Sequence, residues 1–390
     1  MRRLFERSRP ILLNAGLSLM APLVNALAAW WVIRAGSEAV WGSFVGPMVI
    51  AGLALHLLNY GNREYLLRAF ARHPEKMEPT WRKNLITRAA LLLIVLPVAI
   101  GTVGGGSGGL WLGLWVLAGF LRQAFESVIV YRKDFGFALA VELLAAGVLF
   151  GGLIGGSESL SGEAVLQWYA LAWALRAGAV LLCYGGIFLS GKYPRADFGY
   201  FAAALPFFLL GFAGLLLSRT DLYCVTLFVE DRAQVGRYQL LMSFFLYLQA
   251  VAGFILLPYV RNLYRLPDAS IHKLSWRMAG LGIPVVLVGL LGIALLLHFA
   301  YQIEFPPVFF LLGIAFVGPV FYYSPLIYLL FKHEQQRTVV LANAAGIVLN
   351  LGLNLALIPS LGILGALIAT TLGQGLSMGV IVRQAHQNQA

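Results

Sequence analysis

Six charged residues lie inside long apolar stretches of this sequence. They are Arg122, Arg176, Arg219, Glu126, Glu142 and Asp221. A charge at the centre of a bilayer costs about 2.5–3.5 kcal/mol even on lenient insertion scales, so such residues persist where the fold supplies water, a partner or a ligand. Guanidinium groups suit phosphates, because their planar fork donates paired hydrogen bonds and stays charged. Carboxylates in the same region suit protons or cations.

Arg122 and Arg176 are predicted to bind substrate. Glu126 follows Arg122 by one helical turn, so the two share a helix face and can form an ion pair. Arg176 has no acid at helical spacing on its own segment and needs either a partner elsewhere or an anionic ligand. The alternative for Arg122 with Glu126 is a neutralised pair that only fixes helix packing. Glu142, near one end of its segment, is expected to reach water.

Arg219 and Asp221 are separated by a single residue and point about 200° apart around a helix, so a regular helix cannot direct both into one cavity. We predict that Arg219 binds substrate and that Asp221 is an ion-coupling site, with Glu126 as the second ion-coupling candidate. Arg34, at the end of the first apolar segment, is a further substrate-binding candidate, with snorkelling to the headgroups as the alternative.

Two amides complete the predicted substrate site, Asn25 and Gln249, which lie near mid-membrane in opposite halves of the chain. The alternative is that these amides donate interhelical hydrogen bonds, which is the commoner role of amides in membrane helices.

The composition identifies the class of protein. Hydrophobic residues make up 60% of the chain and charged residues 12%, whereas about a quarter of an average soluble chain is charged. The sequence therefore predicts an all-α integral membrane protein. The N-terminal "MRRLFERSRP" is basic, but the apolar stretch after it is too long for a signal peptide, so it is expected to remain as the first span.

A helix that crosses a bilayer needs about 20 apolar residues, and the sequence predicts twelve such spans. They are residues 10–33, 40–60, 85–103, 110–131, 135–154, 164–188, 200–228, 236–258, 278–299, 307–330, 338–358 and 361–382. Most of the 28 lysine and arginine residues fall at the termini and in the loops of one side. By the positive-inside rule both termini are cytoplasmic, and the net charge of +11 needs no nucleic-acid partner.

The loops offer little for catalysis. Those on the predicted outer side are short, and "GTVGGGSGGLWLG" lacks the Gly-Lys-Ser/Thr of a P-loop. We expect no enzyme activity, no cofactor and no metal. The largest cytoplasmic loop, residues 61–84, carries Arg63, Arg68 and Arg72. These arginines are expected to set topology and touch anionic lipids, with guidance of an anionic headgroup to the inner opening as the alternative.

The two halves of the chain contain a weak internal repeat. "GSEAVWGSF", after the first span, aligns without gaps with "EDRAQVGRY", after the seventh, and matches Phe44 with Tyr238. Six spans per half keep the direction of the chain, which predicts two parallel, pseudo-symmetric six-helix lobes, residues 1–190 and 191–390. In transporters built this way the substrate site lies between the repeats.

Four segments carry a resemblance to a known family. They are "RAGSEAVWGSF", "LNYGNREYLLR", "RTDLYCVTLFVEDRAQVGRY" and "NLGLNLALIPSLGILGALIAT", the last with Pro359, Gly362, Gly365 and Ala366 in Pro-x-x-Gly-x-x-Gly-Ala order. The chain resembles the multidrug/oligosaccharidyl-lipid/polysaccharide (MOP) exporter superfamily, whose fold is that of the MATE transporters. Within it, the chain is most similar to O-antigen and exopolysaccharide flippases.

This resemblance implies a flippase that carries undecaprenyl-diphosphate-linked oligosaccharide across the bacterial inner membrane by alternating access. It also implies H⁺ or Na⁺ coupling, contact with membrane lipids and association with a polysaccharide polymerase. The alternatives are a cation-coupled multidrug exporter of the same superfamily and a membrane enzyme of glycan assembly. Cationic drugs call for an acidic cavity, and the enzyme calls for a large outer loop.

Overall fold

The computed structural model describes residues 2–104, 106–189, 195–256 and 259–387, and helices make up nearly all of them. The helices are α1 (Arg2–Ala35), α2 (Glu38–Asn59), α3 (Asn62–Arg72), α4 (Met77–Thr102), α5 (Gly106–Arg132), α6 (Phe135–Gly155), α7 (Gly162–Leu189), α8 (Gly199–Phe228), α9 (Arg232–Leu256), α10 (Val260–Leu263), α11 (Asp268–Leu295), α12 (Pro307–Lys332), α13 (Gln336–Leu361) and α14 (Ile363–Gln387). The prediction of an all-α fold is confirmed.

The long helices account for the predicted spans. Within the described residues, 11 helices are long and apolar enough to cross a membrane, and the number is 12 when α8 is counted as one bent span. Helix α8 bends by 49° between Gly199–Leu209 and Gly211–Phe228. The protein is therefore a multi-pass membrane protein with the predicted set of spans.

The chain forms two compact units. The N-terminal unit is Met1–Gly211 and the C-terminal unit is Phe212–Ala390, so the division falls within α8. In the N-terminal unit, α5 and α7 pack together along their length, and α6 packs against α1 and α7. In the C-terminal unit, α13 packs against α14, and α12 packs against α11 and α14.

The segment 61–84 is mostly helical, so its prediction as a loop was wrong. It contains α3 and the start of α4. Helix α3 is amphipathic: Leu66 and Phe70 are fully buried, while Arg63, Arg68 and Arg72 are exposed. The burial of two residues one turn apart explains why this short, highly charged segment is helical, because tertiary packing rather than propensity stabilises most short helices.

A tight turn sets the direction of α3. Tyr60 ends α2 with φ 43° and Gly61 follows with φ 68°. A Cβ atom on Gly61 would approach the Cβ of Phe207 to 2.9 Å and the carbonyl oxygen of Ala204 to 3.0 Å. Glycine is needed here both for the left-handed backbone and for this close approach of α8.

The Pro-x-x-Gly-x-x-Gly-Ala motif is the turn between α13 and α14. Gly362 has φ 56°, and its N–H donates to the carbonyl of Ile358 at 2.8 Å. A Cβ atom on Gly365 would lie 2.5 Å from the carbonyl oxygen of Leu357. The two glycines therefore let the chain reverse and let α13 and α14 pack closely, as small residues do in membrane helices.

Candidate anion-binding cavity in the N-terminal unit

The N-terminal unit contains a cavity of about 420 Å³. Its walls come from six helices, α1, α2, α3, α5, α6 and α7. Five charged side chains line it, namely Arg63, Arg122, Glu126, Glu142 and Arg176. A pocket of this volume is within the range of small-molecule sites, and such a concentration of charge inside a membrane helix bundle marks a candidate functional site.

Glu142 lies between the two deeper arginines. The Nε atom of Arg176 donates a hydrogen bond of 2.7 Å to Oε2 of Glu142. The Nη2 atom of Arg122 is 3.9 Å from Oε1 of the same carboxylate. The side chains are only 10–15% exposed, so solvent screens these charges weakly. One carboxylate from α6 thus faces guanidinium groups from α5 and α7.

The predicted ion pair between Arg122 and Glu126 was wrong. Glu126 is instead paired with Arg63, whose Nε atom lies 3.6 Å from its Oε1. Helical spacing places Arg122 and Glu126 on one face of α5. In the structure, however, Glu142 on α6 lies near Arg122, and Arg63 on α3 pairs with Glu126. The pair of Arg63 and Glu126 is more open, with exposed fractions of 44% and 34%. Glu142 is 15% exposed, lines the cavity and lies between two arginines.

The charges around the cavity do not cancel. Three arginines and two glutamates line it, which leaves one positive charge in excess. Glu142 is shared between Arg122 and Arg176, so neither guanidinium has a carboxylate of its own. Arg176 also lies over the ring of Trp173, with 5.1 Å between its Cζ atom and the ring centroid. Such a contact holds the guanidinium plane in place while leaving N–H donors for a ligand.

Aromatic rings form another wall of the cavity. Trp115, Tyr169 and Trp173 line it, with centroid distances of 5.5 Å between Trp115 and Tyr169 and 6.4 Å between Trp115 and Trp173. The Nε1 atom of Trp115 is buried without an acceptor among the described residues. Asn25 also lines the cavity, and its Oδ1 accepts a hydrogen bond of 3.0 Å from the hydroxyl of Tyr169.

The structure thus brings together four of the eight predicted site residues, namely Asn25, Arg122, Glu126 and Arg176. Arg34 lies in the last turn of α1, is exposed, and does not line this cavity. Gln249 belongs to the C-terminal unit, where its Nε2 atom donates to the carbonyl of Phe316 at 2.9 Å and to Oε1 of Gln374 at 3.2 Å. Gln249 therefore makes the interhelical bonds that were the alternative for it.

The remaining two predicted residues lie on α8 in the C-terminal unit and differ in burial. Asp221 is 1% exposed and accepts a short hydrogen bond from the hydroxyl of Tyr238 on α9. Its Oδ1 atom is buried, and the hydroxyl of Thr370 on α14 is close enough to interact with this carboxylate. Arg219 is half-buried and close enough to Asp221 to interact with it electrostatically. Asp221 is thus the member of the pair that faces a neighbouring helix.

Two residues that are important to the N-terminal unit were missing from the predicted site, Glu142 and Arg88. Arg88 is fully buried on α4, where its Nε donates to Oδ1 of Asn84 at 3.0 Å and its Nη1 to the carbonyl of Leu58 at 2.9 Å. Leu58 lies in the last turn of α2, so the guanidinium sits at the negative end of that helix. Arg88 does not line the cavity, and its contacts indicate a structural role.

Within the described parts of the chain, no group of three or more His, Cys, Asp or Glu side chains is arranged to hold a metal ion. The residues that line the cavity offer charge-assisted hydrogen bonds to an anion and contact with apolar ring faces.

Comparisons with known proteins identify the fold. No family model matches the chain, and no curated protein matches its sequence. Solved structures do match. The lipid II flippase MurJ in an inward closed conformation is 13% identical, with a TM-score of 0.74, and the match covers 96% of this chain and 87% of that one.

Two MATE transporters match over a similar length. An inward-facing multidrug resistance MATE family transporter of the MOP superfamily is 14% identical over 97% of this chain and 98% of its own, with a TM-score of 0.60. The Vibrio cholerae MATE transporter VcmN is 12% identical over 99% of this chain and 96% of its own, with a TM-score of 0.53. Likeness at these identities shows the fold, as the sequence resemblance predicted. The chain has the fold shared by the lipid II flippase MurJ and the MATE transporters of the MOP superfamily.

Proposed function

We propose that this protein is a flippase for an undecaprenyl-diphosphate-linked oligosaccharide, an O-antigen or exopolysaccharide repeat unit. It would carry this lipid from the cytoplasmic to the periplasmic leaflet of the bacterial inner membrane by alternating access, with both termini in the cytoplasm. The observation that carries the proposal is the excess of arginine over carboxylate in the cavity of the N-terminal unit.

The pairing within the cavity favours an anionic ligand. Glu142 acts as an internal anion for Arg122 and Arg176. A diphosphate offers several charged oxygens, so it can accept hydrogen bonds from both guanidinium groups at once and take over the position of the carboxylate. A cationic drug would instead enter a site with one positive charge in excess. The charge of the cavity therefore supports the lipid-linked substrate over the multidrug alternative.

The size and walls of the cavity fit a headgroup. A volume of about 420 Å³ holds a diphosphate with adjoining sugar, while a long isoprenoid tail stays in the hydrocarbon of the bilayer. Beside the arginines, the rings of Trp115, Tyr169 and Trp173 supply flat apolar faces with few hydrogen-bond demands. We expect the diphosphate at the arginines and the first sugar against these rings.

An ion gradient is the proposed energy source, with Asp221 as the site for H⁺ or Na⁺. One charge that moves through 100 mV gains about 2.3 kcal/mol. A buried carboxylate whose side-chain neighbours include the neutral hydroxyls of Tyr238 and Thr370 is chemically suited to a proton or a small cation. A polysaccharide polymerase remains the proposed protein partner, on the resemblance alone.

The proposal is tested by flipping in proteoliposomes. Purified protein is reconstituted with a fluorescent undecaprenyl-diphosphate-linked oligosaccharide, and the initial rate of its transfer between leaflets is measured. Loss of one charge-assisted hydrogen-bond donor costs about 1.5–3 kcal/mol, so Arg122→Ala and Arg176→Ala should each slow flipping about 10- to 100-fold. Arg383→Ala, an exposed arginine on α14 outside the cavity, is the matched control and should leave the rate unchanged.

Two results would contradict the proposal. One is flipping by both cavity variants at the wild-type rate, with normal folding shown by thermal unfolding. The other is gradient-driven uptake of a cationic dye by the same vesicles together with no transfer of the lipid, which is the behaviour of a multidrug exporter.

A further inference from the structure

A second, separate pocket lies on the surface of the N-terminal unit between α3 and the start of α8. It has a volume of about 300 Å³, and Tyr65, Arg68, Arg72, His73, Ala203 and Phe207 line it. The arginines are one helical turn apart and therefore share one face of α3. Arg63, which lines the cavity described above, does not line this pocket.

The pocket carries uncompensated positive charge. Among the described residues, neither Arg68 nor Arg72 lies within 4 Å of a carboxylate, whereas Arg63 pairs with Glu126 and His73 lies 3.6 Å from Glu75. Both arginines are exposed, so their guanidinium groups are accessible to a ligand. Two guanidinium forks without a carboxylate partner, in one pocket, form a suitable receptor for a phosphate group.

The apolar side of the pocket continues along a membrane helix. Ala203 and Phe207 form this side and lie one helical turn apart on the same face of α8. Helix α3 connects two spans, buries Leu66 and Phe70 and exposes a basic face, which is the pattern of a helix that lies at the level of the lipid headgroups. Cationic groups at this depth attract anionic lipids.

We propose that this pocket binds the phosphate headgroup of an anionic glycerophospholipid, with an acyl chain lying along α8. The guanidinium groups of Arg68 and Arg72 hold the phosphate, and Ala203 and Phe207 contact the chain. The site is distinct from the cavity of the proposed flippase and does not depend on that function. A free phosphate would meet the same guanidinium groups but would gain nothing from the apolar wall.

Native mass spectrometry of the purified full-length protein tests the proposal. Phosphatidylglycerol or phosphatidylcholine is added at matched concentration, and the fraction of protein that retains one lipid is measured. Wild-type protein should retain phosphatidylglycerol at least fivefold more than phosphatidylcholine. The double variant Arg68→Gln/Arg72→Gln should lose this preference.

The matched control is Lys273→Gln/Arg277→Gln on α11. These side chains are exposed, have the same spacing and remove the same charge, but they lie in the C-terminal unit and outside the pocket. The control should keep the wild-type preference. An equal loss of the phosphatidylglycerol preference in both double variants would show that the preference depends on total positive charge, and it would overturn the proposed site. So would equal retention of the two lipids by wild type, or displacement of the lipid by millimolar inorganic phosphate.

Discussion

Replacing Glu142 by glutamine should strengthen anion binding in the N-terminal cavity. The carboxylate lies 2.7 Å from Nε of Arg176 and 3.9 Å from Nη2 of Arg122. A phosphate oxygen that bonds to the same nitrogens comes within about 5 Å of this carboxylate. Two charges at that separation repel by about 3 kcal/mol at an effective dielectric constant of 20 and by about 0.8 kcal/mol in water. Removing the charge should therefore tighten binding by about 4- to 160-fold.

The natural control is Glu126→Gln. Glu126 also lines the cavity, but it is 34% exposed and pairs with Arg63 rather than with the deeper arginines. Solvent screens it more strongly, so its replacement should change the affinity by less than about threefold. The assay is equilibrium binding of a short-chain isoprenyl diphosphate to protein in detergent, measured at low and high salt. The difference between the two variants should shrink as salt rises.

The same substitution should slow transport. A ligand held more tightly leaves more slowly, so Glu142→Gln should lower KM and kcat together in the flipping assay. The opposite role for Glu142 is to hold the arginines in position for the ligand. In that case glutamine would weaken binding and raise KM. Weaker or unchanged diphosphate binding by correctly folded Glu142→Gln would therefore refute the displacement argument.

Four further outcomes follow from the structure. Arg88→Met should lower the free energy of unfolding by about 1–3 kcal/mol, measured in detergent, because two buried acceptors lose their donor. Asp221→Asn should leave folding intact and remove the dependence of flipping on an ion gradient. Arg219→Ala should slow flipping, and Arg219→Lys should restore little, because an ammonium lacks the planar fork. A hydrogen bond from Lys83 lowers the pKa of Asp197. The contribution of this pair to stability is present above the unfolded-state pKa and is lost as the pH falls through the lower folded-state pKa. Lys83→Met should therefore cost at most about 1 kcal/mol in thermal unfolding at pH 7 and progressively less as the solution is acidified.

The helices were predictable from the sequence because their signal is local. A long apolar run must form its hydrogen bonds within itself, so span positions follow from composition alone. The exception is α3, which is too short and too charged to be recognised as a long apolar run. Leu66 and Phe70 are one turn apart in an otherwise charged segment, and this spacing is typical of a short amphipathic helix.

The ion pairs were not predictable in the same way. Spacing along one helix shows which side chains share a face, and it correctly allowed Arg122 and Glu126 to be neighbours. Spacing does not show which charged side chains on other helices lie nearby. In the structure, Glu142 is the closer partner of Arg122, and Arg63 is the closer partner of Glu126. Arg88 shows the same limit, since its main partner is a backbone carbonyl at the end of α2, which no side-chain pattern reveals.

The internal repeat predicted from the sequence matches two aromatic residues that have different neighbours in the structure. Phe44 on α2 is fully buried and stacks on Trp115, which lines the arginine cavity. Its match Tyr238 on α9 is also fully buried, but its hydroxyl donates to Asp221. A carboxylate placed among the arginines of the N-terminal cavity is held by them, as Glu142 is, and is poorly available to a cation. A carboxylate whose hydrogen-bond donor is a neutral hydroxyl keeps its charge for a proton or a metal ion. We therefore infer that the anionic substrate and the coupling ion use different units of the repeat because their electrostatic requirements are opposite.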